Sequence, residues 1–128
     1  MRFPFHIADP LQVDRLMLQI KYNDGFVAYL GGQEIARRNA PDPLEWNSTA
    51  LGVRSVKQSL QTELFELNDF RDRLTVGSNV LTIHGLNAHA DSEDFLIVPT
   101  LVATELDNDL LATSLVDAVF QQADEPWV

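Results

Sequence analysis

The 128-residue chain has no cysteine. That excludes a disulfide framework, a thiolate zinc site and a thiol nucleophile, and it leaves the redox compartment open. No apolar run approaches the roughly 20 residues that would span a bilayer as a helix. The first residues lack the basic, apolar and small-residue order of a signal peptide, so a chain that opens on Met1 without one reads as a piece of a longer polypeptide. Basic residues are scarce and unevenly placed. Nine Lys and Arg face 19 Asp and Glu, for a formal charge of −10, and residues 74–128 carry nine acids with no Lys or Arg at all. Such a charge repels phosphate backbones and anionic headgroups, which argues against nucleic-acid and membrane partners. Also missing are G-x-S-x-G, H-E-x-x-H, a Walker A sequence and a dinucleotide fingerprint. Catalysis is therefore not the expected reading.

What is present is globular: 45% hydrophobic and 22% charged residues suit one domain with a single core. Leu16, Leu18, Ile20 and Tyr22 share one side of an extended segment, the period-two pattern of a half-buried strand. Asp24-Gly25 and Gly31-Gly32 punctuate the segments that follow, and both pairs suit two-residue hairpin turns. The expectation is a three-stranded meander whose middle strand, Phe26 to Leu30, is apolar on both faces and so covered on both. Residues 39–60 form a long excursion with breaks at Pro41, Pro43 and Gly52, the first place to look for binding. Residues 62–67 alternate weakly, and 70–76 suit a helical turn or a short edge strand. Val80 to Leu86 and Phe95 to Val102 read as strands, with Pro99 marking an edge or a bulge. Leu111, Leu115, Val119 and Ala123 recur every four residues behind the caps Asp107 to Asp109, which predicts a helix from Asp109 to Ala123. The organisation is thus a β-sandwich over 1–106 and a helical extension over 107–128. Short strands without intervening helices point to an all-β antiparallel jelly-roll sandwich.

The segment YNDGFVAYLGGQEIARRNAP, with Trp46-Asn47-Ser48-Thr49-Ala50, LTVGSNVLTIHGLN and Asp94 to Pro99 downstream, resembles the jelly-roll modules of large secreted bacterial proteins of planctomycete type. Those modules are similar to galactose-binding-like sandwiches and sit beside CotH-like kinase, lamin-tail-like or metallophosphoesterase domains. The resemblance covers residues 12–106 and departs from the usual pattern at Gly31, where Asn is common. It implies an accessory module of an extracellular or cell-surface protein, with neighbouring domains and a glycan as its partners.

Three sites follow from residue chemistry. Trp46, Asn39, Asn47 and Arg38 supply an indole face, amides and a guanidinium, the groups that hold a pyranose; the competing expectation is that Trp46 plugs the sandwich end beneath its own loop. Asp91, Glu93 and Asp94 offer hard oxygen ligands for a structural calcium, against the commoner role of solvated turn acids. His84, His89 and Asp91 would suit a transition metal in a hydrolase fragment, whereas a strand histidine is more often a hydrogen-bonded packing residue. Arg37 and Arg38 fall on opposite faces of a strand, so they do not form one anion cradle. A helix bearing Leu111, Leu115 and Val119 would need covering, by its own sandwich or by another copy of the chain.

Overall fold

A computed structural model describes residues 1–45, 47–52, 55–87, 96–105 and 108–117. Eight strands make two four-stranded sheets: β1 (Arg2–Ile7), β2 (Val13–Asn23), β3 (Gly25–Leu30), β4 (Gln33–Arg38), β5 (Glu63–Glu66), β6 (Gly77–Leu86), β7 (Leu96–Glu105) and β8 (Asn108–Asp117). One sheet runs β1-β6-β3-β4 and the other β5-β2-β7-β8. Among the described residues every strand pairing is antiparallel. The chain passes back and forth between the layers, as a jelly-roll sandwich requires.

The period-two pattern of β2 buries Leu16, Leu18, Ile20 and Tyr22. They meet Phe26, Ala28 and Leu30 of β3, Leu81 and Ile83 of β6, and Ile97 and Leu101 of β7 in one core between the sheets. Tyr22 and Phe65 both pack edge-on against Phe26, at centroid distances of 4.8 and 5.7 Å. A fully buried Leu or Phe is worth about 1.5–3 kcal/mol relative to exposure, so this layer carries most of the gain in folding.

β3 is covered on both faces, as its composition requires. It lies between β6 and β4, and Val27, on the face away from the main core, joins Ala40, Ala50 and Leu86 in a second cluster with Tyr29 and Leu44 packed against it. The cover is the excursion after β4. Its residues Ala40, Leu44 and Ala50 pack on Val27 and Leu86, and Leu51 N–H donates to Asn39 O at 3.0 Å while Ala50 N–H donates to Asn87 O at 2.7 Å.

The expected meander is only half present. Gly31 and Gly32, at φ +57° and +84°, make the β3–β4 turn. Asn23-Asp24-Gly25 makes no hairpin: β2 pairs with β5 and β7, and the chain crosses there from one sheet to the other. Gly25 is needed for closeness rather than for turn geometry. A Cβ at this position would lie 2.7 Å from Asn39 O and 2.8 Å from Arg38 O, an approach only glycine permits.

The helix expected from Asp109 to Ala123 is corrected. Asn108–Asp117 is a strand, hydrogen-bonded along β7 from Thr100↔Asp117 to Glu105↔Asn108 with two register shifts. A spacing of four fits an α-helical face and, being even, also fits a strand face, so Leu111 and Leu115 did not discriminate. The open flank of β7 supplied the ladder that local pattern could not weigh. Val119 and Ala123 lie outside the described residues. Pro99 pairs with Ile20 and stands next to Thr100, whose partner Asp117 is the last described residue of β8. Residues Asn68–Arg73 form a 3₁₀ helix.

Candidate functional site

The excursion and the sheet face beneath it position the side chains with functional chemistry. Asn39 begins the excursion at φ +56°. Its Nδ2 donates to Asp24 O at 3.1 Å and to Gly52 O at 2.7 Å, which ties the loop's two ends to the β2–β3 crossover. Asn tolerates this left-handed backbone better than other non-glycine residues. Asp24 itself is a buried carboxylate at 4% exposure. Farther along, Ser55 N–H donates to Gln58 Oε1 and Gln58 N–H to Ser55 Oγ, both at 3.1 Å. This reciprocal capping pair starts the single helical turn Val56–Ser59.

Arg37 and Arg38 point to opposite faces, as the strand period demands. Arg38 turns toward the other layer: its Nε donates to Glu63 Oε2 at 2.7 Å and its guanidinium lies 4.6 Å from the Phe65 ring centre. The Tyr22 hydroxyl donates to the other Glu63 oxygen at 2.7 Å. Arg38, Glu63 and Tyr22 thus close the gap between the edge strands β4 and β5. Arg37, on the outer face, holds Glu34 through Nε at 2.9 Å and Nη2 at 2.7 Å, and its Nη1 reaches Pro41 O at 3.2 Å. The hydrogen bond from Arg37 holds the Glu34 carboxyl below its ordinary range.

Beside the Val27 cluster the outer face carries a polar row. The register aligns Arg2↔Thr82 between β1 and β6, Thr82↔Tyr29 between β6 and β3, and Tyr29↔Glu34 between β3 and β4. A second row places His84 beside Val27 and Val27 beside Arg37. Tyr29 and Leu44, both partly buried, pack against the Val27 cluster beside this row. Partial burial and the Glu34 carboxylate keep the Tyr29 phenol protonated to higher pH than usual, against the opposing pull of Arg37. Burial, then the N-terminal ammonium, lowers the pKa of His84. Its imidazole is a neutral, half-buried strand residue at neutral pH.

Of the four expected sugar-site residues, Asn39 and Arg38 are placed by intramolecular bonds, Asn47 is exposed on the excursion, and Trp46 lies outside the described residues. The expected calcium ligands Asp91, Glu93 and Asp94, and His89 with them, also lie outside. The strands that flank them in sequence meet the crossover, where Gly25 pairs with Leu86 of β6 and Asn23 with Leu96 of β7. Among the described residues no group of three metal-ligating side chains converges. On the opposite layer, two shallow open grooves of about 540 and 470 Å³ share Asn68. Asn68 is already engaged: its Oδ1 accepts from Leu16 N–H at 2.9 Å and its Nδ2 donates to Glu66 at 2.7 Å. Sequence reasoning missed the Tyr22–Glu63 bond and the row through Thr82 and Tyr29. The alternation of Val27 with Tyr29 and of Thr82 with His84 was the available signal, but only the strand register shows that these pairs adjoin.

Compared with protein families and with curated proteins, the sequence matches none. The fold does have a solved counterpart. The crystal structure of Streptomyces avermitilis alpha-L-rhamnosidase complexed with L-rhamnose superposes at a TM-score of 0.63 and 15% identity. The likeness covers 99% of this chain and 10% of that one, so the chain spans about a tenth of that protein's length. At this identity the likeness is one of fold.

Proposed function

We propose that this chain is a non-catalytic accessory module of a longer polypeptide, making weak contact with carbohydrate at the excursion that carries Trp46 and Asn47. The observation that supports the reading is the coverage: nearly the whole chain corresponds to one small part of a glycosidase. A unit of that kind serves its protein by binding or by spacing rather than by supplying the reaction centre. The long excursion after β4 fits the role, since binding residues sit disproportionately on loops held by a rigid scaffold, and this one is fixed by Asn39 at its start and by Ala50 and Leu51 farther along. Placement outside the cell or at its surface, beside other domains, belongs to the same reading, as does a structural calcium on Asp91, Glu93 and Asp94.

A glycan array followed by calorimetric titration tests it. Weak binding to at least one glycan, removed by Trp46→Ala without loss of the folded state, is the expected result. An array silent for every glycan would reduce the chain to a structural spacer.

A further inference from the structure

We propose that the row of Arg2, Thr82, Tyr29 and Glu34 on the outer face of the β1-β6-β3-β4 sheet is a second binding surface, for an oligosaccharide that carries carboxylates. The proposal rests on the carbohydrate reading above and adds a contact on the sheet beside the one on the loop. Four strands at about 4.8 Å spacing make the row Arg2–Thr82–Tyr29–Glu34 about 14 Å wide, enough for more than one sugar ring.

Its chemistry is that of a saccharide platform. One aromatic side chain, Tyr29, stands in the middle with a hydroxyl, a carboxylate and guanidinium groups around it. Apolar ring faces and a few fixed polar groups are what a sugar needs. The polar groups are fixed by the protein itself: Glu34 and Arg37 lock each other through two hydrogen bonds, and Pro41 O accepts a third from Arg37. Tyr29 is itself held from one side, because it packs against the Val27, Ala40, Ala50 and Leu86 cluster.

Charge selects the acidic sugar. Arg37 is matched by Glu34, whereas Arg2, at the other end of the row and exposed, has no ion-pair partner among the described residues. The row's uncompensated charge is therefore positive, in a chain whose total is −10. A carboxylate on the ligand meets Arg2 while its ring lies over Tyr29 and its hydroxyls reach Thr82 and Glu34.

The experiment is calorimetric titration of the full chain with an oligomer of galacturonic acid and with a galactose oligomer of equal length. The acidic oligomer should bind about tenfold more tightly, the worth of one charge-assisted hydrogen bond to an exposed guanidinium. Arg2→Ala should erase that difference, and Tyr29→Ala should abolish binding of both. Thr82→Ala, a small change on the same row, should weaken both even if Tyr29→Ala does not fold. Equal affinity for the two oligomers, or no binding of either, overturns the proposal. If the array detects a glycan whose binding Trp46→Ala removes while Arg2→Ala and Thr82→Ala leave it unchanged, the platform fails and the loop reading stands; a silent array sinks both.

Discussion

Asn39 is the residue whose role the structure changes most, and its replacement has a cost that can be worked from contacts. Its amide makes two hydrogen bonds to backbone carbonyls, at 2.7 and 3.1 Å, and its backbone sits at φ +56°. Losing both bonds costs about 2 kcal/mol at the usual net value near 1 kcal/mol each. Alanine adds about 1–2 kcal/mol for holding a Cβ in the left-handed region, so Asn39→Ala should cost about 3–4 kcal/mol in total. Asn39→Gly loses the same bonds and adds instead about 0.5–1 kcal/mol of chain entropy, for about 2.5–3 kcal/mol. In a domain of this size 1 kcal/mol moves Tm by about 3–5 °C. Asn39→Ala should therefore melt roughly 10–20 °C below wild type, with Asn39→Gly a few degrees above it. Urea unfolding measures both variants, with the m-value as the check that the unfolded state has not changed. A cost under about 1 kcal/mol for Asn39→Gly would refute the tether. If glycine proved no better than alanine, the backbone argument would fail. Retained stability with lost glycan binding would return the amide to the ligand.

Other consequences follow from the same contacts. Gly25→Ala should destabilise by about 1–3 kcal/mol, the usual range for forced overpacking, because its Cβ would meet two backbone carbonyls inside 3 Å; chemical denaturation reads it, and a neutral result would mean the excursion sits farther from β3. A double-mutant cycle on Arg38→Ala and Glu63→Ala should give a coupling of about 0.2–1 kcal/mol that shrinks in 1 M salt, since the pair is partly exposed; no coupling at low salt would remove it from the closure of β4 on β5. His84 binds its proton less readily folded than unfolded, so the unfolded state holds more protons between the lowered value and the ordinary 6.5. Stability should rise as pH rises through that window. His84→Gln should flatten the rise in thermal melts between pH 5 and 7.5, and an unchanged slope would place the effect elsewhere.

The sandwich was legible where one periodicity dominated. Leu16 to Tyr22 alternates, and it forms the strand that alternation demands. Phe26 to Leu30 has no polar face, and the structure gives it two apolar environments. Gly31-Gly32 required positive φ and took it. Asp24-Gly25 carried the same turn chemistry and failed, because a hairpin and a crossover can share a dipeptide and only the tertiary approach of Asn39 distinguishes them. β1 went unread: Phe3, Phe5 and Ile7 alternate, but Pro4 interrupts them, and a proline is tolerated there because β1 is an edge strand. The four-residue spacing near the C-terminus suited two structures, and pairing with β7 chose the strand. For the site, side-chain chemistry identified Arg38 and Asn39 as polar residues near the loop. It could not show that their donors are spent on Glu63, Asp24 and Gly52, because hydrogen bonds across 13 to 25 residues depend on the fold.

The claim that matters most is where a sugar would touch this protein, and amide chemical-shift mapping during titration with the tightest glycan from the array tests it directly. Shifts should concentrate on the excursion 39–52 and on Tyr29, Thr82 and His84, with Met17 and Leu64 on the opposite layer unmoved. Shifts confined to the grooves around Asn68, or none at saturating glycan, would contradict the account.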